Sequence, residues 1–316
     1  MPTDRSTRVP TRGEIERAAE RIAPFVRRTP VLEAGRGSFG APGRVVLKLE
    51  QLQHTGSFKV RGAFNRLLQA EVGPAGVVAA SGGNHGLAVA HAARVLGHGA
   101  EIFVPGSSPA AKVDRIRAVG ATVRVVPGYY AQALAASEER VRETGALVVH
   151  AYDQPEVVAG QGTLGRELAE QAPDLDAVLV AVGGGGLIAG IASWFRGDVR
   201  VVGVEPEGCP TLSRALEAGR PVEVDVGGVA ADALGAARAG RIALAAAERF
   251  VDRVVLVPDE AIARAQRELW SAARVVAEPG AAAPLAALLC RRYVPGAGER
   301  VALVVSGANT DPSAVA

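Results

Sequence analysis

Short apolar runs alternate along most of this chain with longer stretches in helical register, and this alternation limits the possible folds more than any other feature. The runs "RVVLKLE" (44–50), "GVVAAS" (76–81), "AEIFV" (100–104), "ATVRVV" (121–126) and "ALVVH" (146–150) are rich in β-branched residues and too short for ordinary helices. "AVLVAV", "VRVVGVE", "RVVLV" and "RVALVVS" repeat the pattern further on. Between them the apolar spacing predicts helices over 57–69, 84–96, 109–119, 131–143 and 155–171. Strand, helix, strand in this order makes βαβ units, so the expectation is an α/β fold of open twisted sheets whose strands are parallel and buried on both faces. The units between about 76 and 150 form a group of their own. They predict a smaller α/β domain over 73–150 and a larger one that the chain enters twice, over 1–72 and 151–316.

Composition narrows the partner. With 48% hydrophobic and 22% charged residues over 316 positions, the chain has enough apolar material for a large core. The formal net charge is only +2 and no basic run stands out, which argues against nucleic acid or a membrane surface and for a small-molecule ligand. Cys209 and Cys290 are too few and too far apart for a disulfide framework or zinc cluster. The N-terminal stretch "MPTDRSTRVPTRGEIERAAERI" is charged from its fourth residue and lacks a signal-type apolar core, so the expected compartment is the cytoplasm.

In open α/β sheets ligands bind outside the carboxyl ends of the strands, which directs attention to three strand-to-helix loops. "VLVAVGGGGLIAG" sets Gly183, Gly184, Gly185 and Gly186 before an apolar helix opening at Leu187. Consecutive glycines admit close approach of a ligand to backbone amides, and a helix start favours an anion, so a phosphate suits this loop as well as a tight packing turn does. A P-loop lysine is missing, and no acid stands at the position expected for a dinucleotide ribose. "SGGNHG" gathers Ser81, Asn84 and His85 at a second helix start, fit either for a carboxylate and a ring oxygen or for plain N-capping. In "VALVVSGANTDP", Ser306 ends a strand where it meets a ligand or simply turns the chain.

Lysine usage adds a chemical hint. Lys48, Lys59 and Lys112 are the only lysines; every other cationic side chain of this type is arginine. Arginine cannot form a Schiff base, whereas a lysine amine can, and a desolvated helix start makes it a better nucleophile and base. Lys48, in a strand, and Lys112, on a helix, read as ordinary solvated or snorkelling side chains. Lys59 in "TGSFKVRGAFN" is set apart by its company.

Taken together and in order, "GSFKVRGAFN", "SGGNHG", "GGGGL" and "SGAN" resemble the pyridoxal-phosphate enzymes of the serine/threonine dehydratase family, over about residues 28–311. The resemblance implies the tryptophan-synthase-β-like fold (fold type II), with pyridoxal 5'-phosphate between two α/β lobes and a homodimeric assembly. It implies that Lys59 bonds to the cofactor aldehyde and acts as the catalytic base, that Phe58 packs near the ring, and that Asn84 meets the phenolic oxygen. Gly183, Gly184, Gly185, Gly186 and Leu187 would hold the phosphate and Ser306 the pyridine nitrogen. Ser81, Asn84 and His85 would line the place of the substrate carboxylate. The implied activity is dehydration of L-threonine or L-serine to 2-oxobutanoate or pyruvate plus ammonia. A neutral serine at the pyridine nitrogen does not hold a proton there, which favours prompt elimination.

Departures from the family pattern refine that expectation. Serine racemases carry a serine directly after the first residue of the second motif, and this chain has Gly82 there, which disfavours racemisation. Glu205 matches a glutamate of the family's cation site, but the sixth residue on is Thr211 instead of aspartate, so a divalent cation is only half provided for. The chain stops shortly after "SGAN", and no branched-chain feedback domain is expected. Glu278 resembles a glutamate near the cofactor in relatives, or caps the helix after it; Tyr129 and Tyr130 face the substrate side chain, or serve packing or a plain surface loop. A β-replacement enzyme of the same fold, which would usually have threonine in place of His85, and another β-hydroxy amino acid as substrate stay open. The remote alternative is a nucleotide-binding α/β protein without catalysis.

Overall fold

A computed structural model describes residues 8–314; residues 1–7, where the charged N-terminal stretch begins, and residues 315–316 lie outside it. The elements run α1 (Arg12–Ile22), β1 (Val31–Arg36), β2 (Arg44–Lys48), α2 (Lys59–Leu67), β3 (Val77–Ala80), α3 (Asn84–Val95), β4 (Ala100–Pro105), α4 (Ala110–Ala118), β5 (Thr122–Val126), α5 (Tyr130–Thr144) and β6 (Leu147–Val148). Then come α6 (Pro155–Gln171), β7 (Ala177–Ala181), α7 (Gly186–Phe195), β8 (Arg200–Pro206), α8 (Thr211–Ala218), α9 (Ala231–Leu234), α10 (Arg241–Phe250), β9 (Val251–Val257), α11 (Asp259–Ala273), α12 (Pro279–Leu289) and β10 (Arg300–Val304).

Two sheets result, one of six strands in the order β1-β2-β10-β7-β8-β9 and one of four in the order β5-β4-β3-β6. The last strand, β10, inserts in parallel between β2 and β7. That placement sets the site. The chain leaving β2 leads to Lys59, the chain leaving β7 leads to the glycine loop, and Ser306 lies just beyond β10, between the two, on one carboxyl edge.

Alternate residues of the central strands enter opposite cores, as the period of two requires. Val45, Leu47, Leu179 and Leu303 pack with α11 and α12, while Val46, Val178, Val180 and Ala302 pack with α6 and α7. The four-stranded sheet has its own core, in which Val77, Ala79, Ile102 and Val104 meet α3 and α4. Helix α2 joins that core through Val60, Ala63, Phe64 and Leu67. On α2's other side Gly62 faces Gly160 of α6, a Cβ on Gly160 lying 2.7 Å from the Gly62 Cα, so the two helices cross at a distance that only glycine permits.

The expectation of parallel strands buried on both faces holds for the middle of each sheet and fails at its edges. β1, whose "VLEAGR" has no apolar run to announce it, pairs antiparallel with β2. β5 is an edge strand with Thr122, Arg124 and Val125 exposed, because it has β4 on one side only. Helix α2 starts at Lys59, two residues later than the spacing predicts. Thr55 and Gly56 take left-handed backbone (φ 62° and 73°) and Ser57 is extended, bridging to Gly307, so the chain turns sharply before the helix begins.

Candidate active site

Lys59 is the first residue of α2, and its side chain is half-buried between the two sheets. Nζ donates to the carbonyl of Ala151 at 2.8 Å and lies 5.0 Å from the centre of the Phe58 ring. Burial lowers the Lys59 ammonium to about 8, with the Glu278 charge pulling weakly the other way. The lowered value leaves far more free amine near neutral pH than an ordinary lysine has, which a nucleophile or base needs.

Asn84, at the start of α3, links the two halves of the site. Its Nδ2 donates to Glu278 Oε1 at 2.7 Å, and its Oδ1 accepts from Asn309 Nδ2 at 2.7 Å, while Asn309 also donates to the Thr55 carbonyl at 2.8 Å. Glu278 precedes α12 without capping it; its carboxyl turns to Asn84 instead, and burial raises it to about 7 against that hydrogen bond. Ser81 Oγ accepts from the Gly83 amide at 3.2 Å, closing the turn into α3. His85 is buried and donates from Nε2 to the Val149 carbonyl at 2.8 Å. Burial first, and the nearby Lys59 charge second, push it down to about 3, so the ring stays neutral.

The glycine loop has no room for side chains. A Cβ on Gly184 would overlap the ring of Tyr152, one on Gly185 would overlap Ala243, and one on Gly186 would lie 2.9 Å from Tyr152 Cβ. Gly185 also takes left-handed backbone (φ 88°) where α7 begins. Among the described residues the amides of Gly183 to Leu187 donate to no loop carbonyl, which leaves a row of free donors at a helix N-terminus. Tyr152 closes this end of the site, its ring edge-on to His150 at 4.6 Å and its hydroxyl donating to the Arg238 carbonyl at 3.2 Å. Burial, and Tyr130 after it, raise the Tyr152 phenol. At the other end Ser306 is buried and its carbonyl accepts from the Phe58 amide at 3.1 Å. Beside it the Ser57 hydroxyl is buried without a partner.

Lys59, Phe58, Ser81, Asn84, His85, the glycine loop and Ser306 therefore gather on the facing edges of the two sheets. Tyr152 and Asn309 were not singled out in the sequence: nothing marks a tyrosine in "AYDQP", whereas Asn309 stands inside the quoted "SGAN". Of the two tyrosines considered there, Tyr129 is 75% exposed and points outward, and Tyr130 is the one near Tyr152.

The plain surface role expected for Lys48 is corrected. Lys48 is fully buried and ion-paired with Glu167, and it also donates to the Thr29 carbonyl at 2.7 Å. Its chain ends in the interior at the carboxyl edge of β2, where only a carboxylate makes an ammonium tolerable. Lys112 pairs with Asp232 across a cavity of about 450 Å³ that Glu278, Asn309 and Pro109 also line. Glu205, the candidate cation ligand, is occupied otherwise. Both its oxygens accept backbone amides of α8, from Leu212 at 2.6 Å and Ser213 at 2.9 Å, and Thr211 turns its hydroxyl to the Ala236 carbonyl. No group of three or more metal-ligating side chains occurs among the described residues.

A half-buried amine of lowered pKa, a row of free amides fit for a phosphate, an asparagine and a buried serine suit pyridoxal phosphate, on the facing edges of the two sheets. Comparison with known proteins agrees: residues 22–307 match the pyridoxal-phosphate dependent enzyme family, and the chain belongs to it. It is 38% identical to an L-threonine ammonia-lyase of Thermotoga maritima over 95% of this chain and 76% of that one. Among solved structures it resembles a T.th. threonine deaminase (TM-score 0.87, 37% identity, 96% and 99% of the two chains). It also resembles maize serine racemase (TM-score 0.91, 32% identity, 97% and 95%).

Proposed function

We propose that this chain is a threonine/serine ammonia-lyase that converts L-threonine to 2-oxobutanoate and L-serine to pyruvate, releasing ammonia. The observation that carries this is the Lys59 amine, half-buried, held only by a carbonyl and set between the glycine loop and the Asn84–Glu278 pair. The ammonia-lyase relative at 38% identity supports the choice of substrate.

Pyridoxal phosphate, when bound, supplies an aldehyde for the substrate amine and a ring that withdraws electrons from its α-carbon. The side chains do the rest. Free amides of Gly183 to Leu187 would hold the phosphate, Asn84 would donate to the ring oxygen and Ser306 would be the neutral partner of the ring nitrogen. The start of α3, with Ser81, Asn84 and His85, takes the substrate carboxylate. Lys59 Nζ removes the α-proton, the bond from the β-carbon to its hydroxyl breaks, and the departing hydroxyl takes a proton back from the Lys59 ammonium and leaves as water. The released unsaturated amine takes up water to give the keto acid and ammonia.

We also take residues 73–150 as the small lobe, 1–72 and 151–316 as the large one, the assembly as a homodimer and the compartment as the cytoplasm; no described helix is long and apolar enough to cross a membrane. The functional test is keto-acid release by the cofactor-loaded protein with L-threonine and L-serine in parallel. Rapid formation of 2-oxobutanoate or pyruvate is the expected result. A protein that holds the cofactor and releases neither is not an ammonia-lyase of this kind.

A further inference from the structure

Gly82 lies in the loop that opens α3, and its φ is outside the left-handed region that favours glycine. Glycine is required for another reason, which is a neighbour. A Cβ placed on Gly82 would overlap the Ser108 hydroxyl and stand 2.8 Å from Ser108 Cβ and 3.1 Å from a Val104 methyl. The space that a side chain on this loop would fill is already filled by a hydroxyl from the next one.

Ser108 is well placed for that. It follows β4, which pairs in parallel with β3, so the two loops leave the same carboxyl edge side by side. Its amide donates to the Pro105 carbonyl at 3.0 Å, which fixes the turn, and the next residue, Pro109, lines the cavity shared with Glu278 and Asn309. The side chain is half-buried and faces the start of α3, where the helix end favours an anion.

We propose that Ser108 is a further substrate-binding residue, which presents its hydroxyl through the gap at Gly82 and donates a hydrogen bond to the substrate carboxylate beside the 81–85 loop. This rests on the ammonia-lyase reading for the identity of the ligand. Sequence motifs do not reveal it, because the hydroxyl belongs to a different loop from the one whose side chain it replaces.

Three variants test the assignment: Ser108→Ala, Gly82→Ser, and Gly82→Ser combined with Ser108→Gly, which moves the hydroxyl from one loop to the other. Two quantities are measured, the affinity of the loaded protein for L-threonine, read from the visible absorbance of the bound cofactor, and the melting temperature without cofactor. Ser108→Ala is expected to weaken L-threonine binding by about tenfold or more, as loss of a hydrogen bond to a charged group does, at unchanged melting temperature. Gly82→Ser alone is expected to melt several degrees lower because of overpacking. The combined variant is expected to recover both quantities. Wild-type affinity in Ser108→Ala, or an unaltered melting temperature in Gly82→Ser, would overturn the proposal. Keto-acid release is scored separately: its absence from a wild type that binds L-threonine overturns the ammonia-lyase reading, while the order of affinities still decides the role of Ser108. A wild-type spectrum that L-threonine leaves unchanged overturns both.

Discussion

Lys48 is fully buried and Lys59 half-buried, and only the first sits in a neutralised cluster. Around Lys48, Arg61 takes Glu50 in a two-pronged pair at 2.6 and 2.9 Å and reaches Glu167 at 3.0 Å, while Thr29 donates to Glu50 at 2.7 Å. Two cations face two carboxylates, and most hydrogen-bonding positions are filled. Lys59 has one carbonyl and the face of a phenyl ring. The same residue type therefore serves as scaffold where its charge is matched and as chemistry where it is not. The two regions are also joined, since Arg61 shares the first turn of α2 with Lys59, so the matched cluster clamps the helix that aims the unmatched amine.

Removing a carboxylate from the cluster is the strongest way to break this contrast. Glu167→Ala leaves Lys48 and Arg61 partly uncompensated in the interior, and a loss of about 3–5 kcal/mol is expected. Denaturant unfolding of the cofactor-free protein measures it. Lys59→Met removes a half-buried amine that makes no ion pair, so the folded protein is expected to be as stable as the wild type or more so, with keto-acid release abolished. Equal destabilisation by both substitutions would erase the distinction.

pH sharpens the comparison. The folded-state value of Lys59, about 8, lies below its ordinary 10.5, so between them the unfolded chain binds more protons and stability rises with pH. That rise is expected from about pH 8 to 10.5 in the cofactor-free protein and should be lost in Lys59→Met. Glu278 behaves oppositely, because burial raises it from 4.5 to about 7. The folded state then holds the extra proton, and stability falls as pH rises across that interval. Melting temperatures across both intervals, in wild type, Lys59→Met and Glu278→Gln, separate the two contributions. The smallest effect is expected at Lys112: its pair with the half-exposed Asp232 is screened by water, and Lys112→Ala should cost less than about 1 kcal/mol in the same unfolding assay.

How much of this could be read in advance depended on whether a feature is local. The βαβ rhythm and the four glycines are local, and the strands and the loop lie where their residues predict. α6 matches its expected span, since Pro155 marks its start. Features made by contacts distant in sequence were hidden. Lys48 reads like any strand lysine because its partner, Glu167, comes from α6. The bonds from Leu212 and Ser213 amides to Glu205 are likewise invisible until α8 folds against it. Tyr152 and Ser108 gain importance only from the glycines they crowd. Edge strands such as β1 and β5 lack the double-sided burial that makes a strand visible as an apolar run.

The central claim, that Lys59 is the amine that bonds the cofactor, has a direct test. The loaded protein is reduced with borohydride, digested and mapped by mass spectrometry. The account predicts a reduced cofactor adduct on the peptide containing Lys59, with Lys48 and Lys112 unmodified. An adduct on either of those two lysines, or none on Lys59 in a protein that holds the cofactor, would contradict it.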